Sequence, residues 1–125
     1  MNLNQVTVPS IDIARSIEFY KALGLNLIVE ALPHYARFEC PNGDATFSVH
    51  LVDKLSDGEG TYVYFETESL DQEVARLRKE GMQFDQLPVD QSWLWREARL
   101  RDPDGNKIIL YFAGDNRKSP PWRIN

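Results

Sequence analysis

The chain has 125 residues, 14 basic and 19 acidic side chains for a net charge of −5, and one cysteine. That length fits one domain whose core needs no disulfide or structural metal, and a lone cysteine excludes an internal disulfide. The acidic balance argues against nucleic acid and anionic membrane as partners, no apolar run nears the ~20 residues that span a bilayer, and the first residues lack the pattern of a secretory signal, so the cytoplasm is the expected location.

In chain order, residues 3–8 alternate like a strand. Asp12 then stands where it can cap a helix whose apolar face is Ile13, Ile17, Tyr20 and Leu23, and Gly24 stops that helix. Residues 25–32, 35–40 and 46–52 read as three short strands, separated by Pro33-His34 and by the turn Pro41-Asn42-Gly43-Asp44. Residues 53–60 are a polar connecting loop. A strand over 62–67 follows, then Ser69 and Gln72 at capping-box spacing, opening a helix that carries Leu70, Val74 and Leu77 and closes at Gly81. Strands over 83–87, 93–101 and 107–112 complete this half, the last two joined by Asp102-Pro103-Asp104-Gly105-Asn106. The tail, 114–125, contains Pro120-Pro121-Trp122 and reads as extended, with Trp122 anchoring it on the domain or on a partner chain.

Each half is therefore β-α-β-β-β, and the halves resemble each other. A slide of about 57 residues lays Gln5-Val6-Thr7-Val8 on Tyr62-Val63-Tyr64-Phe65, Ile13 on Leu70, Ile17 on Val74 and Gly24 on Gly81. The expected architecture is one α+β domain over 1–125, with module one at about 3–52, module two at about 61–113 and a tail at 114–125.

A duplicated unit of this kind, with Ser-Ile-Glu-Phe-Tyr at 16–20, Leu-Gly-Leu at 23–25 and the late turn at 102–106, resembles the vicinal oxygen chelate superfamily. Glyoxalase I, extradiol dioxygenases, fosfomycin-modifying thiol transferases and bleomycin-binding resistance proteins belong to it. The resemblance runs from about Gln5 to Gly114 and implies two modules, each curling a mixed sheet around a shared cleft with helices outside. In metal-dependent members each module gives one ligand from its first strand and one from its last, together holding a divalent ion. The first-strand positions here are Gln5 and Tyr62. The last-strand triplet falls on Val49-His50-Leu51 and Ile108-Ile109-Leu110. Aligning the turns on Gly43 and Gly105 instead puts Phe47 opposite Ile109.

The resemblance thus leaves Gln5 and His50 as ordinary metal ligands. Ile109 has no donor atom, and Tyr62 binds well only as phenolate. Beyond them, alternation along 93–101 puts Trp93 and Trp95 on one side as a packing surface or a platform for a planar ligand, with Glu97 next along and Arg96 and Arg99 on opposite faces. His34 reads as a solvated turn residue and Cys40 as a packed thiol. The implied function is that of a homodimer, closest to the bleomycin-resistance-like members, that binds a small organic molecule through Gln5, His50, Tyr62, Trp93, Trp95 and Glu97 without a catalytic metal or other cofactor. The alternatives are a divalent-metal-dependent lyase, isomerase or dioxygenase using Gln5 and His50, and a structural or regulatory dimer with no small ligand.

Overall fold

A computed structural model describes residues 1–125 as two compact units. The first comprises 1–60 together with 102–106, and the second comprises 61–101 together with 107–125.

In the first unit the elements are β1 (Gln5–Ser10), α1 (Ile13–Leu23), β2 (Asn26–Ala31), β3 (Tyr35–Glu39) and β4 (Thr46–Leu51). The sheet order is β1-β4-β3-β2, with β1 parallel to β4 and the other pairs antiparallel. β1 begins and ends two residues later than the alternation suggests and includes Pro9. A proline without an N–H is tolerated there because β1 is an edge strand. Asp12 accepts a hydrogen bond from Arg15 N at 3.2 Å and so caps α1, while Gly24, at φ 118°, ends it in the left-handed region open to glycine. The helix buries Ile13, Ile17 and Tyr20. The Tyr20 ring lies 4.6 Å from Phe47 and 5.8 Å from Phe38, so Phe38 and Phe47 mark the helix side of the sheet.

The second unit repeats the plan with β5 (Tyr62–Glu66), α2 (Leu70–Lys79), β6 (Phe84–Asp90), β7 (Arg96–Arg101) and β8 (Lys107–Phe112) in the order β5-β8-β7-β6. The strand proline of this unit, Pro88, again sits on an edge strand, at a break in the β6–β7 register. Three local expectations fail. The Ser69 side chain makes no capping bond, and Ser69 N donates to the Thr67 hydroxyl at 3.2 Å. The strand expected from 93 begins only at Arg96, because Leu94, at φ 68°, turns the chain within 91–95. The tail is not extended throughout: 114–117 form a 3-10 turn, and Trp122 is 57% exposed rather than packed on the domain.

The turn at 102–106 supplies the first unit with a buried charge. Asp102, 5% exposed, accepts from Tyr20 Oη at 2.6 Å, Asn106 Nδ2 at 2.8 Å, and the backbone amides of Asp104 and Asn106, both at 2.9 Å. Burial and then the adjacent Asp102 push the Tyr20 phenol far above its usual value, so it stays a donor. Tyr20→Phe should therefore cost about 1.5–3 kcal/mol at neutral pH, read by urea denaturation. Linkage adds a second signature. Above pH ~10 the unfolded chain releases the Tyr20 proton and the native chain keeps it, so stability falls by about 1.4 kcal/mol per pH unit from this group, a slope Tyr20→Phe removes.

Candidate functional site

Each sheet has a side turned away from its helix, and strand register decides what stands there. In the first unit Gln5 is opposite Thr46, Thr7 opposite Ser48 and Pro9 opposite His50, while Tyr35 and Arg37 of β3 flank His50 and Ser48. These residues alternate with the helix-side Phe38 and Phe47, so they form a polar face. Gln5 Oε1 accepts from the Thr46 hydroxyl at 2.7 Å, and the Thr7 and Ser48 hydroxyls lie 2.6 Å apart with Ser48 fully buried. Arg37 Nε donates to Tyr35 Oη at 2.9 Å. Burial alone would raise the Tyr35 pKa, but hydrogen bonds from Ser48, Arg37 and Gln5 and the Arg37 charge outweigh it and lower it.

His50 is exposed at the far end of this face. It lies four residues beyond Thr46, the partner of Gln5, or about 13 Å at the ~3.3 Å rise of a strand. Gln5 and His50 are thus not brought together as a ligand pair.

In the second unit the corresponding face is aromatic and charged. Register groups it in rows: Tyr62, Lys107 and Arg101; then Tyr64, Ile109 and Arg99; then Glu66, Tyr111 and Glu97. Arg96, one strand position out of phase, points the other way and pairs with Asp71 of α2 and with Asp90. The Trp95 ring stacks on Tyr111 at 4.8 Å, and Tyr64 meets both rings edge-on at 5.9 and 5.4 Å. Tyr62 and Trp95 cover the buried Ile109, Tyr111 and Ala113. Burial, Glu66 and Tyr64 raise the Tyr111 pKa despite Arg117.

Glu97 is 1% exposed, and its carboxylate accepts from Trp93 Nε1 at 2.9 Å and from Arg99 Nη2 at 3.3 Å. Trp93 and Trp95 therefore both reach this face, although through the 91–95 turn and not by alternation along a strand. Arg99 Nε is buried without an acceptor, an unmet donor that costs about 1–3 kcal/mol. Beside it lies a pocket of about 220 Å³, lined by Tyr62, Asp85, Arg99, Arg101, Lys107 and Ile109 among others. Tyr64 and Tyr111 belong to the second unit's face, and the sequence alone does not mark them as site residues. Period-two alternation from Tyr62 to Tyr64 and from Ile109 to Tyr111 was the available signal.

The sequence model of the Glyoxalase/Bleomycin resistance protein/Dioxygenase superfamily matches residues 2–110. The chain belongs to this superfamily. It is 29% identical over 127 residues to the uncharacterized protein YraH of Bacillus subtilis (strain 168), covering 89% of this chain and 98% of that one. It is 26% identical over 120 residues to the trivalent organoarsenical cleaving enzyme of Bacillus sp. (strain MD1), covering 88% of this chain and 74% of the other. Its fold is similar to that of a glyoxalase/bleomycin resistance protein/dioxygenase from Nocardioides (TM-score 0.77, 22% identity, 100% and 90% of the two chains). A bleomycin-binding protein solved with bleomycin shares the same fold (TM-score 0.73, 19% identity, 90% and 98%).

The superfamily's ligand positions can now be assigned by strand pairing. Since Gln5 faces Thr46 and Tyr62 faces Lys107, the counterpart of Ile109 is Ser48, and His50 is the counterpart of Tyr111. This corrects both sequence alignments, which put His50 or Phe47 opposite Ile109. The four positions hold Gln5, Ser48, Tyr62 and Ile109: an amide and a hydroxyl already bonded to neighbours, a phenol beneath the Lys107 ammonium at 5.0 Å, and a hydrocarbon. No carboxylate, imidazole or thiolate is among them. That donor set does not fit a divalent ion, whose protein sites draw on such groups.

Followed by ultraviolet phenolate absorbance, Tyr35 should ionise in a first step below the usual tyrosine value, ahead of Tyr20 and Tyr111. Tyr35→Phe should delete that first step, and Arg37→Gln should move it upward.

Proposed function

We propose that the chain is a small-molecule-binding member of the superfamily that carries its ligand on the aromatic face of the second unit and uses no catalytic metal at the four inherited positions. The observation that carries this reading is the aromatic and charged face of the second unit, taken with the lack of a carboxylate, imidazole or thiolate at Gln5, Ser48, Tyr62 and Ile109. Tyr62, Trp95 and the buried Glu97 with its Trp93 and Arg99 partners offer a flat apolar surface with polar groups at its edge, the composition of small-ligand sites. The bleomycin-binding protein offers a precedent within this fold for binding.

A second reading, an enzyme of the superfamily, is favoured by the similarity to the organoarsenical cleaving enzyme. The two separate by elemental analysis after reconstitution with manganese, iron, cobalt, nickel and zinc. The expected outcome is no retained metal, together with thermal stabilisation by members of an aromatic small-molecule library. Near-stoichiometric metal that is lost in Gln5→Ala or His50→Ala would replace the binding reading with the enzymatic one.

The reading includes a homodimer in the reducing interior of the cell, in keeping with the single thiol of Cys40. Support for the dimer comes from the edge strand β6, where Leu87 and Val89 are 44% and 45% exposed, and from Leu94 beyond it at 48%. Light scattering should give twice the 14.4 kDa chain mass, and Val89→Lys should shift it toward the monomer. A wild-type protein of monomer mass would remove the dimer from the reading.

A further inference from the structure

The pocket beside Arg99 carries a sign of charge opposite to that of the whole chain. The protein is net negative, with a charge of −5, yet the pocket lining has Arg99, Arg101 and Lys107 against Asp85 alone. Asp85 is committed, since its two oxygens accept from Arg101 Nε and Nη2 at 3.0 and 3.1 Å. Lys107 Nζ lies over the Tyr62 ring. Even with Glu97 behind Arg99, the balance stays positive.

Arg99 differs from the chain's other arginines of this sheet. Arg96 bridges two aspartates and Arg101 grips one with both donors, whereas Arg99 holds only the Glu97 oxygen at 3.3 Å through Nη2, and its Nε has no acceptor. Its side chain is still 38% exposed. A guanidinium carries five N–H donors in a rigid fork that matches a carboxylate. Glu97, 1% exposed and fixed by Trp93, holds that fork in place before any ligand arrives.

We propose that this pocket recognises a small planar organic anion, with its carboxylate-like group on Arg99 and Lys107 and its ring on Tyr62 and the adjoining Tyr64 and Trp95 rings. This rests on the reading that the second unit's face holds the ligand, and it names the ligand's chemistry. The volume of about 220 Å³ lies below the ~300–1,000 Å³ of drug-sized sites, so a compound of one or two rings is the match. Opposite charge selects the ligand's head, and aromatic contact selects its body.

Isothermal titration of the full chain at low salt with 2-naphthoate, 2-naphthylmethanol and 2-naphthylmethylammonium tests this, since the three share a ring and differ in head charge. Naphthoate should bind at least about 10-fold tighter than the alcohol, the equivalent of one charge-assisted hydrogen bond, and the ammonium weakest. Arg99→Gln should abolish the preference. Because that change strands the buried Glu97 carboxylate, the paired Glu97→Gln/Arg99→Gln variant serves as the folded control and should abolish it too. Equal affinity for all three heads in the wild type would leave the binding reading standing and overturn the anion assignment. Naphthoate preference unmoved in either variant would also overturn it, and no binding of any probe would overturn both.

Discussion

Asp102 is a carboxylate taken almost wholly out of water, and the first unit is built on the condition that its charge is met. Removing an ionised carboxyl from solvent costs several kcal/mol unless hydrogen bonds replace the lost hydration. Two side-chain donors and two backbone amides do so, and one of them, the Tyr20 hydroxyl, belongs to the largest fully buried residue of the core. The neighbouring Asp104 extends the same logic, accepting from Ile11 N, Arg15 and Ser16. The two amides that bind Asp102 also close the turn, and the turn sets Lys107 opposite Arg101. From that one pairing, alternation fixes every residue along β7 and β8 to one side or the other. The Ile109–Arg99 row and the Tyr111–Glu97 row follow from it.

Register then decides chemistry. Parallel pairing of first and last strand in each unit brings two side chains side by side, an arrangement that suits shared coordination only when both carry donors. Here the pairs near those positions are an amide with a hydroxyl and a phenol with an ammonium, and each is already satisfied locally. Ile109 takes part instead in a hydrophobic layer with Tyr111 and Ala113. Isoleucine at such a point does more than withhold a ligand atom. Tyr62 and Trp95 pack over the strand there, forming a surface that favours flat apolar groups.

Much of the architecture could be read before any coordinates, because it rests on local signals. The duplicated order of elements, the Asp12 cap, the Gly24 stop and the helix faces of Ile13, Ile17, Leu70, Val74 and Leu77 depend on spacings of three and four that tertiary contacts did not override. The site was less accessible for a physical reason. The connection between β6 and β7, 91–95, is longer than that between β2 and β3, 32–34, and β6 is longer than β2, so the last strands of the two copies are displaced relative to a constant slide. The counterpart of Ile109 moved from His50 to Ser48, two residues away on the same face. Trp93 and Trp95 illustrate a second kind of miss. Their alternation suggested a strand, but Leu94 takes a left-handed backbone conformation rare for a branched side chain, and no propensity reveals that. Both indoles reached the expected neighbourhood because the Glu97 carboxylate and the Tyr111 ring draw them there.

The same arrangement explains why an acidic protein can present a cationic pocket. Surface charge summed over the chain governs solubility and long-range steering, but a ligand in contact responds to groups within a few ångströms, where screening by water and salt is weakest. The carboxylates near this face are mostly committed: Asp85 to Arg101, Glu97 to Trp93 and Arg99, and Glu66 to the amides of Ala113 and Gly114. Glu97 carries a desolvation cost that only its two donors offset, and its bond to Arg99 Nη2 restrains that side chain before binding. A charged side chain held this way is a better recognition element than a mobile surface arginine. Part of the entropy of ordering it is lost already in folding, and its Nε finds no acceptor within the protein.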